Sequence, residues 1–391
     1  MFPKIKYSYL RKFTDRKEEI AMKIMGVVFS NIYDSSLGEL TNHRTVASLP
    51  FGGRYRQIDF ILSNMSNSGI YNIGLITKYN YRSLMDHLGS CTEWDLNRKN
   101  EGLTLLPPFV SGNTGIYKGK LEALYNAVSF IDNKNYDYVV VSDSTVLCNI
   151  NFRAAIKNHI KSGVDVTIIA NNGETKGKRH HLTLSANTKN RVTQILIDSL
   201  SDKDQLVGMG MFIFKRELLV KAIRECYAKG LTHLERDFIQ RGFNEKKLKL
   251  GVYKFDGVVL RNEDIKSYYK NNMLLLDSKI RDGLFLKDSP IYTKVRDEIP
   301  TYYGEQSKIC DCLVADGCVF SGRAENSVLF RGVEINEGAE VKRSIIMQSA
   351  KIGKNAKLDC VILDKNVTVS EGAVLKGTPQ HPVIVKKGET V

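Results

Sequence analysis

Apolar and polar positions follow two different rhythms along this chain, and the rhythm changes near Ser307. Before that point, short continuous apolar runs trade places with stretches whose apolar residues recur every three or four positions. Ile24 to Ser30, Ile73 to Thr77, Tyr136 to Ser142, Val164 to Ala170, Met209 to Phe214 and Leu250 to Phe255 read as strands, the first of them a buried parallel one. Between them lie helical patterns. Ile58 to Asn67 puts Ile58, Ile61, Leu62 and Met65 on one face, and Ser68-Gly69 closes it. Tyr81 to Leu88, Leu121 to Ile131, Phe152 to Lys161, Glu217 to Ala228 and Ile265 to Leu276 carry the same spacing. Strand–helix alternation of this kind predicts an α/β domain around a mostly parallel sheet, complete at about residue 276. Residues 89 to 116 read as irregular, and Thr175 to Gln205 as an excursion or hairpin.

After Ser307 the period is different. Val333 to Val341, Ala350 to Leu358 and Val367 to Leu375 repeat at a spacing of 17, with apolar positions six apart inside each, as at Ile335 and Val341. Ser327-Val-Leu-Phe330, Ser344-Ile-Ile-Met347 and Val361-Ile-Leu-Asp364 keep the same 17-residue step. A hexad nested in that repeat predicts a parallel β-helix with three faces per coil, in which stacking buries what one coil cannot. The chain therefore divides into an extension over 1–22, expected to be mobile, an α/β domain over 23–276, a linker over 277–306 packed on it, and a β-helix over 307–391.

Composition narrows the chemistry. The 391 residues carry 57 Lys and Arg against 43 Asp and Glu, a formal charge of +14. That favours anionic partners such as phosphorylated metabolites and nucleotides. The positive charge is spread along the chain and no zinc-finger spacing occurs, which argues against nucleic acid. No apolar run approaches the ~18 residues that cross a bilayer. Seven cysteines, with no CxxC pair, read as reduced thiols of a cytoplasmic protein, and Cys310-Asp-Cys312 as strand-face cysteines. The first 22 residues lack the apolar core of a signal peptide; they read as an extension, or as an upstream start with Met22 the working one.

The densest chemistry lies in Pro50 to Phe60, Pro-Phe-Gly-Gly-Arg-Tyr-Arg-Gln-Ile-Asp-Phe. Paired glycines allow close backbone approach, and arginine offers forked donors for phosphate. Arg54, Arg56, Arg44 and Lys78 are the candidate anion contacts, although each taken singly reads first as solvated surface. Asp143 follows the strand ending at Ser142, where α/β ligands sit. His180-His181 lie in a basic loop and read as exposed. Acyl transfer, common among hexad-repeat proteins, is disfavoured because the only histidine after residue 300 is His381.

Pro50 to Phe60, together with Ser63-Asn64, Asn67-Ser-Gly-Ile70, Tyr117-Lys-Gly-Lys-Leu-Glu-Ala123, Ser142-Asp143 and the coil segments Ser327 to Glu340 and Asp364 to Val367, resembles the bacterial ADP-glucose pyrophosphorylase (glucose-1-phosphate adenylyltransferase) family. The resemblance spans roughly residues 24 to 377. It implies a nucleotidyltransferase-like, Rossmann-type domain and a left-handed parallel β-helix. It also implies a nucleotide site that includes Gly119, Glu122 and Asp143.

Where the chain departs from the family, it loses cationic and metal-binding groups. The family's loop Gly-Gly-x-Gly-Thr-Arg-Leu aligns with Asn31-Ile-Tyr-Asp-Ser-Ser-Leu37, so Ser36 replaces an arginine. Val46 stands at a phosphate-facing lysine. Arg261 stands at one of two Mg²⁺-binding aspartates, the other matching Asp143. Adenylyl transfer needs those charges, and losing one such donor typically costs ~10²–10³ in rate. The pattern is similar to the family's D-type regulatory subunit. It implies a non-catalytic chain with no catalytic residues, metal or cofactor of its own, except Asp143 if any ion binds. Such a chain would work in a hetero-oligomer, a tetramer, whose catalytic subunit carries the Mg²⁺, in glycogen biosynthesis. Two rival readings remain. One is an active nucleotidyltransferase in which Asp143 and Glu122 bind metal and Arg54 or Arg56 the phosphates. The other is a stand-alone sensor of an anionic metabolite.

Overall fold

The computed structural model describes residues 23–30, 34–108, 117–173, 182–199 and 205–391, with side chains from 37 onward in the second of these segments. The expectations for residues 1–22, for Asn31 to Tyr33 and the Ser36 side chain, and for His180-His181 lie outside what is described.

The unbroken apolar run Ile24–Phe29 forms β1, the middle of a nine-stranded sheet. The chain continues through a tight hairpin, β2 (Pro50–Phe51) and β3 (Tyr55–Arg56), into α1 (Gln57–Asn67), β4 (Asn72–Ile76), α2 (Arg82–Leu88) and β5 (Gly102–Leu106). Then come α3 (Lys120–Asn126), α4 (Val128–Ile131), β6 (Tyr138–Asp143), β7 (Val146–Leu147), α5 (Phe152–Ser162) and β8 (Val166–Asn172). The strands β5, β4, β1 and β6 pair in parallel in that spatial order. β9 (Leu182–Ala186) and β10 (Val192–Ile197) make an antiparallel pair, and β11 (Leu206–Lys215) enters antiparallel to both β6 and β8. Among the described residues no helix lies between β8 and β11, and β11 returns antiparallel to β8. After α6 (Arg216–Ala228), a π-helical segment Leu234–Gln240 and α7 (Arg241–Asn244), β12 (Leu250–Lys254) restores parallel pairing on β8. β13 (Leu260–Arg261), α8 (Ile265–Leu274) and α9 (Ser278–Leu284) close the domain. Apolar clusters fill both faces of the sheet, as strands buried on both sides require.

The strand β5 lies inside the stretch expected to be irregular. Its Leu103 and Leu105 are only partly covered and Thr104 is exposed, as befits an edge strand. The helix expected over Leu121 to Ile131 breaks at Ala127 into α3 and α4.

The hexad repeat becomes three five-stranded parallel sheets, starting at Tyr302–Tyr303, Lys308–Cys310 and Leu313–Val314. Glu334 pairs with Lys351 and Lys351 with Thr368, so the ladder keeps the 17-residue step read from the sequence. The central coils turn their corners on left-handed residues at the same step, while in the first coils Lys308 pairs with Arg323 and Leu313 with Val328, a step of 15. Asn326, Arg343 and Cys360 occupy one corner, and Gly338, Asn355 and Gly372 another. At the first corner the Ser327 and Ser344 hydroxyls accept from the amides of Ser344 and Val361, one coil on, at 3.1 Å each. The first coil strand lies five residues ahead of Ser307. Upstream of it the extended linker is pinned to α1, with the Tyr292 amide donating to Ser63 Oγ at 2.8 Å and Asn67 to the Pro290 carbonyl at 3.0 Å.

One apolar cluster belongs to both domains. Val46, Leu49, Phe51 and Phe60 pack with Tyr268 and Tyr269 and with Val328, Phe330, Ile345, Met347 and Ile362 of the coils. Polar contacts fix its register. Tyr268 Oη donates to the Pro50 carbonyl at 2.6 Å, Tyr269 Oη to the Arg343 carbonyl at 2.5 Å, and Arg44 Nη2 contacts both Asp364 oxygens at 2.7 and 2.8 Å. Gly53, at φ +80°, turns the β2–β3 hairpin so that its backbone lies against Leu329.

Candidate functional site

Asp143 ends β6, and two glycines decide what reaches it. Gly210 sits at φ +67° in the bulge of β11, and a β-carbon there would overlap the Asp143 carboxylate. Gly119 precedes α3, and a β-carbon there would overlap the Thr232 carbonyl. That carbonyl accepts from the Leu121 amide at 2.9 Å, which draws the segment ahead of the π-helix against the start of α3. The result is a three-membered charge cluster. Lys120 Nζ lies 2.7 Å from Asp143 Oδ2 and 2.5 Å from Glu235 Oε1, with only 2% of its side chain exposed. The rings of Phe29 and Phe212 stand 5.7 and 5.9 Å from the ammonium. Burial pushes the Asp143 carboxyl up, the Lys120 charge opposes it, and the Glu235 charge adds to it. The sequence reading named Gly119 and Asp143 but passed over Lys120 and Glu235.

Gly119→Ala is therefore expected to lower stability by about 1–3 kcal/mol, the usual cost of forcing an atom into a packed site. Urea unfolding of the variant beside the parent measures it.

The other expected site residues are placed as follows. Glu122 accepts from the Lys118 amide at 2.7 Å, which ties the residues just ahead of α3 to its first turn. Arg261, on β13, donates to Asn171 Oδ1 at 2.6 Å and to the carbonyls of Val207 and Gly208 at 3.4 and 3.3 Å. Val46 is buried in the shared apolar cluster. Among the described residues, no group of three or more His, Cys, Asp or Glu side chains is placed to hold a metal. Magnesium asks for near-octahedral oxygen ligands at ~2.0–2.1 Å. The carboxylate–ammonium–carboxylate arrangement at Asp143 does not fit it.

The expected anion contacts separate into two places. Lys78 stands beside the Tyr117 and Tyr79 rings, at 5.7 and 5.9 Å. Arg44, Arg54 and Arg56 lie where the domains meet. Arg44 is buried against Asp364, so its guanidinium ties the domains together instead of facing solvent. Arg56 donates to the Ser83 carbonyl at 2.6 Å, while Arg54 is exposed at the hairpin tip. Three cations that sequence reasoning missed join them: Arg296 of the linker, and Arg331 and Lys365 of the coils. Burial and the charges of Arg56, Arg44 and Arg296 push the Lys365 ammonium down to about 6, against the pull of Asp364. Burial lowers Arg56 to about 10. Nε and Nη2 of buried Arg331 have no hydrogen-bond partner among the described residues. Burial and the neighbouring Arg54 charge lower its affinity for its proton. Arg44, Arg56 and Arg331 are buried, Lys365 is half-buried, and Arg54 and Arg296 are exposed; positive charges gathered at the domain boundary favour an anionic ligand.

Comparison with known proteins agrees with this architecture. Residues 35–272 match the nucleotidyl transferase family, and residues 299–381 match the GlmU-like C-terminal hexapeptide family. The chain is 34% identical over 368 residues to the glycogen biosynthesis protein GlgD of Bacillus subtilis (strain 168), covering 94% of this chain and 96% of that one. It is 36% identical over 372 residues to GlgD of Geobacillus stearothermophilus, with the same coverage. It is 29% identical over 358 residues to the glucose-1-phosphate adenylyltransferase of Bacillus thuringiensis (strain Al Hakam), covering 90% of this chain and 95% of that one.

Proposed function

Because this chain belongs to the nucleotidyl transferase family, among its GlgD glycogen biosynthesis proteins, we propose that it is a non-catalytic, regulatory subunit of a glucose-1-phosphate adenylyltransferase in glycogen biosynthesis. The observation that carries this reading is Val46. At the position of a phosphate-facing lysine, this chain puts an apolar side chain into the core that joins its two domains. No rotation of that side chain can offer a charge to a triphosphate. Arg261 adds to the case, since its guanidinium is engaged by Asn171 and by strand carbonyls. Adenylyl transfer is catalysed almost wholly by charge neutralisation and positioning, so a site without these groups has lost the main contributions to its rate.

The apolar cores of the sheet domain and of the boundary around Val46 are retained, which supports a role for the chain's surfaces. The partner is a catalytic glucose-1-phosphate adenylyltransferase subunit that brings its own Mg²⁺, and the two form a cytoplasmic hetero-tetramer. No helix among the described residues is long and apolar enough to cross a membrane. The cation cluster at the domain boundary receives a phosphorylated metabolite as effector.

The test is ADP-glucose formation from ATP and glucose-1-phosphate by this chain alone, by the catalytic subunit alone and by the mixture. The chain alone is expected to give no turnover above background, and the mixture more than the catalytic subunit by itself. Robust turnover by the chain alone would refute the proposal.

A further inference from the structure

The chain carries a cation of its own where a nucleotidyltransferase would need a metal. Lys120 Nζ lies between Asp143 Oδ2 and Glu235 Oε1, which come from elements far apart in sequence, and the side chain is buried. Phe29 and Phe212 present ring faces to the ammonium from two sheet strands. Carboxylates and aromatic rings together make a complete cation site, and a side chain of this protein already fills it.

We propose that Lys120 is a tethered counter-cation that takes the place of a divalent metal at Asp143 and keeps that metal out. The inference deepens the non-catalytic reading above and rests on it. A dication bound to Asp143 would lie beside the ammonium in a dry environment, where like charges repel strongly. Moving the ammonium aside would leave a lysine charge buried without its partners. Gly210 serves the same arrangement, since a β-carbon there would strike the Asp143 carboxylate, while Gly119 lets the Thr232 carbonyl, three residues ahead of Glu235, approach the start of α3.

The experiment is a Mn²⁺ titration followed by electron paramagnetic resonance of the free ion, joined to thermal melts with and without Mg²⁺ or Mn²⁺. It uses the full chain and three variants: Lys120→Thr, Asp143→Asn and the double variant. The parent is expected to leave the free Mn²⁺ signal intact at millimolar ion and to melt at the same temperature with or without metal. Lys120→Thr, with two buried carboxylates facing each other, is expected to melt roughly 10 °C lower. Either ion should recover much of that loss, and adding Asp143→Asn should abolish the recovery. Depletion of the free Mn²⁺ signal by the parent, reversed by Asp143→Asn, would overturn the proposal. So would a Lys120→Thr protein as stable as the parent, or one that neither ion stabilises. Should Lys120→Thr not accumulate as folded protein, the parent titration decides. The titration involves neither turnover nor a partner subunit, so its failure is distinguishable from failure of the mixing assay.

Discussion

Asp364→Asn is expected to destabilise the folded chain by about 3–5 kcal/mol, the range seen when one member of a buried ion pair is removed. Arg44 and Asp364 are both buried, and the pair lies on the boundary between the sheet domain and the coils. Removing the carboxylate charge strands the Arg44 guanidinium in a place water does not reach. It also removes the Asp364 charge that helps hold the Lys365 ammonium against Arg44, Arg56 and Arg296. Asparagine keeps the size and one acceptor oxygen, so the loss reports charge and not packing. Urea unfolding followed by circular dichroism measures the effect. Replacing both partners, as Arg44→Met with Asp364→Leu, should cost far less than the single change, because no unpaired charge is then buried. A single-variant loss under about 1 kcal/mol, the range of an exposed pair, would mean that the ion pair does not hold the domains together.

The second large effect concerns pH. The Lys365 ammonium has a pKa of about 6 in the folded chain, against about 10.4 for an unperturbed lysine. Between those values the unfolded chain holds a proton that the folded chain lacks, so stability rises as pH rises. Below about 6 both states are protonated, the slope vanishes, and the full cost of the crowded ammonium is present. The slope from one such group is at most about 1.4 kcal/mol per pH unit, and the partial exposure of Lys365 makes it smaller. Unfolding at pH 6, 7 and 8 is expected to show rising stability in the parent, with Lys365→Met stabilised most at pH 6 and less dependent on pH. A parent and variant with parallel profiles would exclude the effect. An anion bound among these cations favours the protonated lysine, so phosphate binding should take up a proton near neutral pH, measurable by calorimetry in two buffers.

The β-helix was readable because its repeat is a property of neighbouring residues. Hexads at a 17-residue step leave one solution, and the corner residues Asn326, Arg343 and Cys360 keep the same step although their chemistry differs. The sheet strands were readable for a similar reason, since β1 and β6 are unbroken apolar runs. The strand β5 was hidden because an edge position leaves Leu103 and Leu105 half covered within a polar stretch. Lys120 was in view inside the motif Tyr117 to Ala123, yet its role needs Asp143 and Glu235. Glu235 lies in a π-helical segment whose spacing matches neither helical nor strand periodicity. Arg44 looked like an anion contact because the net positive charge favours anionic partners and it stands shortly ahead of Pro50 to Phe60. Its partner is 320 positions away, in a coil that the local pattern cannot connect to it.

The Arg44–Asp364 clamp also sets an order for synthesis. A chain leaving the ribosome has residues 44 to 60 in place long before Asp364 exists, so Arg44 lacks its carboxylate, and the cluster of Leu49 and Phe51, which Tyr268 and Tyr269 cover from the sheet domain, lacks its coil side. The amino-terminal domain can complete its sheet early, but the coil side of this patch stays open until the coils from Val328 to Asp364 wind. A nascent chain halted before Asp364 would present a sticky basic surface, a natural target for chaperones.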